Sequence, residues 1–329
     1  GRAPDLGGAG GGCVFFNQWG ISTHPLAIEE IMSALTIEEI PTLNNPALVV
    51  AFAGWNDAGG AATHAAQFLV RRLQARRFAS LDPEDFYNFG ELRPQVRLRD
   101  GLYREVTWPA NDFFYSRAAT PQRSLVLGVG IEPHLKWKTY AATLLDLARQ
   151  CGVNLVITLG ALLADVAFSR PVRVAGFSSD PALAAQLQLT PSRYEGPTGI
   201  VGVLNDACRR AGLTSVSFWA SVPHYISAAP NPKASLALIR RLESFLQFTL
   251  DTTELHTTVA DFETKVAQAI AENPNIAAYV RQLEERDLPD DFEMETAPKG
   301  NGGNGHANGK DMEEALQQFL RQRKKEGND

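Results

Sequence analysis

Cysteine is scarce: the chain has three in 329 residues. That is too few for a disulfide framework, and an odd count leaves one over. A reducing cytoplasm is therefore the expected home. Long apolar runs are missing as well. The longest, Leu155 to Ala164 with one glycine inside, is far too short to span a bilayer, so no membrane association is expected. There is no surplus of positive charge. A formal net charge of −6 supplies no field that would draw the chain to nucleic acid, and no such partner is expected. The first residues show no basic segment leading into an apolar stretch, so no signal peptide is expected. The six histidines are scattered, with no H-E-x-x-H and no pair at i, i+4. No metal site and no cofactor are expected on that ground. What is present is ordinary for a soluble globular protein: 44% apolar and 21% charged residues. The length exceeds what one core usually serves, which predicts one large domain with appendages.

Residues 1–44 read as an N-terminal extension. It contains the flexible "GGAGGG" that begins at Gly7, and ordered structure is expected to start near Met32. From 45 to 250 the pattern alternates. Ala47–Ala53 is a short, nearly continuous apolar run, which suits a strand buried on both faces. Ala61–Leu73 follows with apolar residues at helical spacing. Ser124–Val129, Val153–Leu159, Val172–Phe177 and Thr214–Ser221 read as further strands. Lys138–Cys151, Ile200–Ala211 and Lys233–Leu250 read as amphipathic helices. Asp180-Pro181 opens a short helix as N-cap and first residue. Gln95–Arg99 and Leu102–Trp108 flank Asp100-Gly101, a hairpin signal set apart from the main sheet. Alternating strands and helices imply right-handed crossovers and a mostly parallel sheet covered on both faces: an α/β domain of three layers. Residues 251–292 are purely helical in pattern and broken at Asn273-Pro274, a small C-terminal helical domain. Residues 293–310 cannot bury a core and read as a disordered linker. Residues 311–326 read as an amphipathic tail helix. That helix is expected to dock on its own domain or oligomer ahead of a foreign protein partner.

The stretch "VVAFAGWNDAGGAA" from Val49 to Ala62 raises the question of a phosphate loop. Gly54 and Gly59 have the spacing of the first two glycines of G-x-x-x-x-G-K-[ST]. Gly60 and Ala61 stand where the lysine and the hydroxyl should be, so a nucleoside triphosphatase of that kind is disfavoured. Nor is it G-x-G-x-x-G. A structural corner is expected ahead of a binding loop whose free amides at a helix N-terminus could hold a weak anion. Three more loops follow expected strands or lead into an expected helix. They are Gly130 to His134, Gly160 to Asp165, and Tyr194 to Gly199, where Thr198 is an expected cap. In parallel sheets such loops gather at one edge, where ligands bind. The ligand-binding candidates are thus Gly54, Asn56, Asp57, Gly59, Gly60, Glu132, Gly160, Asp165, Glu195, Thr198, Gly199 and His224. Catalytic residues are not identifiable. Gly176-Phe177-Ser178-Ser179-Asp180 sits like a nucleophile elbow but ends in Asp, and its Ser179 and Asp180 read more simply as caps. Cys151 and Cys208 lie on apolar stripes and read as core.

Taken in order, "AGWNDAGGAA", "GVGIEPHLKWKTY", "LGALLADVAFSRPV", "YEGPTGIVGVLNDACRRAG" and "WASVPHYI" resemble the proteasome assembly chaperone family of the second type, in its bacterial branch. The likeness runs over residues 45–290. It implies an α/β/α sandwich similar to nucleoside phosphorylases, a small helical C-terminal domain, and self-assembly, with a trimer as one option. One departure stands out: where the family pattern reads Pro-His-Thr-Arg-Pro, this chain has Ala167-Phe168-Ser169-Arg170-Pro171. Two functions follow as expectations. The first is a non-enzymatic assembly or scaffold protein that forms homo-oligomers. The alternative is a small-molecule binding protein or an enzyme of phosphorylase or hydrolase type, working at the carboxyl edge of the sheet.

Overall fold

A computed structural model describes residues 34–100, 102–117, 119–120, 122–189, 194–226 and 228–285. The expected linker (293–310), the tail helix (311–326), most of the N-terminal extension and the end of the expected helical domain lie outside the described residues. The strands are β1 (Leu35–Ile37), β2 (Ala47–Ala53), β3 (Arg76–Leu81), β4 (Gln95–Arg99), β5 (Tyr103–Thr107), β6 (Asn111–Ser116), β7 (Leu125–Ile131), β8 (Leu155–Ala164), β9 (Val174–Ser178) and β10 (Thr214–Pro223). The helices are α1 (Ala61–Arg72), α2 (Trp137–Gln150), α3 (Pro181–Gln186), α4 (Ile200–Arg210), α5 (Pro232–Leu246), α6 (Thr253–Ala271) and α7 (Pro274–Glu285).

Eight strands form one sheet in the order β1-β3-β6-β7-β2-β8-β10-β9. Its centre is parallel: β7, β2, β8 and β10 pair in the same direction. The flanks are antiparallel, through β6, β3 and β1 on one side and β9 on the other. Counting directions, β2, β3, β7, β8 and β10 point one way and β1, β6 and β9 the other. The central strands are apolar on both faces because both are covered. On one face α2 and α4 bring Tyr140, Leu144, Ile200 and Leu204 against Val50, Phe52 and Val156. On the other, α1 and α5 bring Ala65, Phe68, Leu238 and Leu242 against Val49, Leu127 and Phe218. The small side chains of α1 let that helix approach the sheet closely, as its composition predicts.

The hairpin falls where Asp100 predicts it. β4 and β5 pair only with each other, apart from the main sheet. Asp180 caps α3 by accepting from the amides of Ala182 and Leu183 at 2.8 and 3.3 Å. Asn273 separates α6 from α7. These two helices enclose a third apolar cluster in which Val266, Ile276 and Leu283 surround Tyr225 and Ile226 from the end of β10. Among the described residues no helix is long and apolar enough to cross a membrane.

Candidate functional site

The parallel strands all end at one rim. β2 ends at Ala53, β7 at Ile131, β8 at Ala164 and β10 at Pro223, and the segments after them hold most of the candidate residues. What those residues do there is set by their hydrogen bonds.

The opening question is answered by Asp57. The corner after β2 turns on glycines in the left-handed half of backbone space: Gly54 at φ 130° and Gly59 and Gly60 at 58°. Asp57 then reaches forward into α1. Its Oδ1 accepts from the amide of Ala62 at 2.6 Å, and its Oδ2 from the amide of Thr63 at 3.3 Å and from the Thr63 hydroxyl. A buried carboxylate thus satisfies the first amides of the helix. Burial pushes its pKa up, against the pull of Thr63 and the two amides. The corner caps α1 with a carboxylate of its own. Asp57→Ala removes that cap and leaves buried donors bare, so a loss of about 2 kcal/mol is expected in urea unfolding. An unchanged midpoint would show that water replaces the carboxylate.

Glu132 is the second anchor. Its Oε1 accepts from Asn56 Nδ2 and from the amide of Ile200, each at 2.8 Å, and its Oε2 accepts from the amide of Trp55 at 3.2 Å. Thr198 is expected to cap α4, but the cap comes from elsewhere. The N-cap residue is Gly199, without a side chain, and Glu132 supplies the acceptor from sixty-eight residues away. Gly199 has to be small: a Cβ there would sit 2.5 Å from Glu132 Oε1 and still closer to the Asn56 amide. Gly54, Asn56, Glu132 and Gly199 are therefore brought together as one knot. Asn56 and Asp57 also lie beside β8, where the Ala161 amide donates to the Asn56 carbonyl at 2.9 Å.

The expected loop at Gly160 is strand instead. β8 runs on through Ala164, and Gly160 lies beneath the Trp219 ring, where a Cβ would come within 2.6 Å of the indole. Here glycine makes room for an aromatic side chain. Asp165 and His224 do meet. Nδ1 of His224 is 2.9 Å from Asp165 Oδ1, at an angle outside hydrogen-bonding range, and the Tyr279 hydroxyl donates to the same oxygen at 3.3 Å. Glu195 and Thr198 stay exposed on the loop before α4. The candidates thus share a rim but divide into separate clusters.

The two buried cysteines and the serines of the elbow-like segment behave as core or edge contacts. Burial pushes the Cys151 thiol up to about 11 and the Cys208 thiol up to about 12, which leaves both protonated at neutral pH. Ser178 and Ser179 both donate to the Ser215 carbonyl, at 3.1 and 3.3 Å, and so hold the β9 edge.

A cavity of about 270 Å³ does open on this rim, beside β10. None of the candidate residues lines it. Its walls come from the segment after β8, the end of β10 and the start of α5, with Arg170, Arg173, Ser221, Asn231 and Lys233 as its polar residues.

Comparison with known proteins agrees with this architecture. The model of the PAC2 family matches residues 51–270. A PAC2 family protein from Streptomyces avermitilis is 45% identical, with 71% of this chain and 99% of that one covered, at a TM-score of 0.67. A proteasome-assembly chaperone homologue from Mycobacterium tuberculosis is 42% identical over 71% of this chain and 99% of its own, at 0.66. An archaeal proteasome activator from Pyrococcus furiosus shares the fold at 19% identity, over 71% of this chain and 97% of its own, with a TM-score of 0.59. Curated proteins give no match. With the matched residues running from inside β2 to the end of α6, the chain belongs to the PAC2 family.

Proposed function

We propose that the chain is a non-enzymatic assembly or scaffold protein that works as a homo-oligomer. Family membership supports this, since one relative of 42% identity is described as a proteasome-assembly chaperone homologue. The rim supports it too, because the carboxylates of Asp57 and Glu132 are taken up by donors of the chain itself. A phosphorylase- or hydrolase-like site in an α/β/α sandwich has less support, as no nucleophile is poised there among the described residues.

The observation that carries the proposal is the β4–β5 ribbon. Its cross-strand pairs Val96–Val106 and Leu98–Arg104 share one face, while Arg97–Glu105 and Gln95–Thr107 share the other. All residues of both strands are exposed, with Leu98 at 64%. A two-stranded ribbon is marginal alone in water, and an apolar strip of this kind marks an interaction site. We assign a second copy of the chain as its occupant. The same strip on two copies is self-complementary about a two-fold axis. Two such faces stacked, with their flanks, bury on the order of 1,000 Å², the lower bound for a specific interface. Residues 311–326, outside the described residues, are a further candidate for contact with a protein partner.

Sedimentation velocity tests this. The wild-type chain is expected to sediment as an oligomer at micromolar concentration, and Leu98→Asn with Val106→Thr as a monomer. At a concentration low enough to dissociate the wild type, the unfolding free energies of the two should agree within about 0.5 kcal/mol, because in the separate subunit the replaced side chains face water. A monomeric wild type would overturn self-association. An oligomer unaffected by the pair would move the interface off the ribbon.

A further inference from the structure

We propose that the cavity beside β10 binds a small organic anion, a single carboxylate or equivalent group on an apolar body. The inference stands apart from the assembly role and rests on three observations at one place.

First, the cavity has the build of a ligand site. At about 270 Å³ it is close to the lower end of small-molecule pockets. Most of its wall is apolar, from Val166, Phe168, Val172, Ile226 and Phe262 among others. A ligand must bring apolar surface to gain from that wall. Second, every charge that the described residues place on the wall is positive: Arg170, Arg173 and Lys233 line it. Lys233 already meets Glu263 at 2.7 Å and the Phe168 carbonyl at 2.6 Å, and Arg170 donates to the Glu284 carbonyl. These contacts fix Lys233 and Arg170 in position. A guanidinium has five N–H donors, so the Arg170 contact with Glu284 leaves others for a ligand.

Third, a buried polar group lacks a partner. Ser221 lines the cavity and is only 2% exposed, and its hydroxyl has no hydrogen-bond partner among the described residues. Its amide is used, donating to the Arg173 carbonyl at 3.0 Å. A buried hydroxyl left unpaired is costly and uncommon. A ligand oxygen in the cavity would satisfy it. The start of α5 adds to the same field. Asn231, which caps this fifteen-residue helix through the Ala234 amide at 3.0 Å, and Lys233 both line the cavity. A helix N-terminus carries a partial positive charge, which favours an anion there. Positive charge, an unpaired donor and apolar walls together select an amphiphilic anion over a bare one or a neutral one.

Isothermal titration of the full chain with phenylacetate and hexanoate tests the proposal, with phenylacetamide as the neutral control and acetate as the control without a body. At least one of the two carboxylates is expected to bind saturably at one site per chain. Each control should bind about tenfold more weakly or worse, a loss of about 1.4 kcal/mol. Ser221→Ala and Arg173→Gln should each weaken the carboxylate several-fold. Ser221→Ala removes only an oxygen. Should it nevertheless fail to fold, Arg173→Gln and the neutral control still decide. No saturable binding of either carboxylate up to about 10 mM, the weak end of specific affinity, overturns the site. Equal binding of phenylacetamide, or affinity untouched by both variants, overturns its anionic character. Neither result touches the oligomeric state, which is read separately by sedimentation.

Discussion

Glu132→Ala is expected to destabilise the fold by about 4 kcal/mol, although Glu132 lies at a rim where a catalytic carboxylate would also sit. The size follows from its three bonds. Two of its donors are buried: Asn56, at 2% exposure, and the amide of Ile200 at the first residue of α4. Each buried donor left bare costs roughly 1–3 kcal/mol. The third, the Trp55 amide, faces solvent and regains water, so it adds little. The loss also frees the start of α4 from the corner after β2. Amide exchange at Ile200–Val203 should therefore quicken more than at Leu238 in α5. Glu132→Gln keeps one acceptor oxygen and about the same shape. It should cost only about 1–2 kcal/mol, which separates acceptance from charge. Urea midpoints and exchange of the three proteins measure this. A Glu132→Ala protein as stable as wild type, with α4 exchange unchanged, would free Glu132 from its anchoring role and return it to the ligand-binding candidates.

How much of this could be read from the chain itself depends on whether the cause was local. Ala47–Ala53 reads as a buried strand because its apolar run is continuous, and it is one. The turn at Gly54–Gly60 is legible because three glycines supply backbone angles that other residues avoid. Asp180, Asp100 and Asn273 mark their boundaries because each acts within a few residues. The errors came from long-range causes. Nothing near Thr198 announces that a carboxylate sixty-eight residues earlier will cap α4 in its place. Gly160 looks like punctuation, yet it is glycine because Trp219 of the neighbouring strand lies across it. The cavity was invisible for the same reason. Its charges come from Arg170 and Arg173 on one segment and Lys233 on another, and Ser221 stands out only once the burial of its hydroxyl is known. The rim was predictable from topology; which of its groups are already satisfied was not.

Gly130→Ala is the other change expected to be severe, again by about 4 kcal/mol, and it shows how the flank that carries the ribbon is held. Gly130 lies in β7 opposite the start of β6. A methyl group there would fall within bonding distance of the Asn111 side-chain oxygen, and 2.9 Å from its Cγ, so Asn111 would have to leave. Asn111 is the hub of a buried network. Its Oδ1 accepts from the Ile131 amide and from the Tyr140 hydroxyl, both at 2.9 Å, and its Nδ2 donates to the Tyr87 hydroxyl. Tyr87 in turn donates to the Ile131 carbonyl at 2.6 Å. Burial raises the Tyr87 phenol to about 12 and the Tyr140 phenol well above its usual range, so both remain protonated donors at neutral pH. Moving Asn111 leaves several of these groups unpaired at once, and buried networks lose more than their separate bonds suggest. The ribbon re-enters the sheet at Asn111, so the same change loosens the base of the proposed interface. A double-mutant cycle distinguishes collision from a general intolerance of the strand. Asn111→Ala alone should cost about as much as Gly130→Ala, because it removes the same hub. The combined variant should lose far less than the sum, because the methyl group then meets no amide. Additive losses in urea unfolding would place the damage in β7 itself and leave the Asn111 hub without its proposed part in holding β6 to the parallel centre.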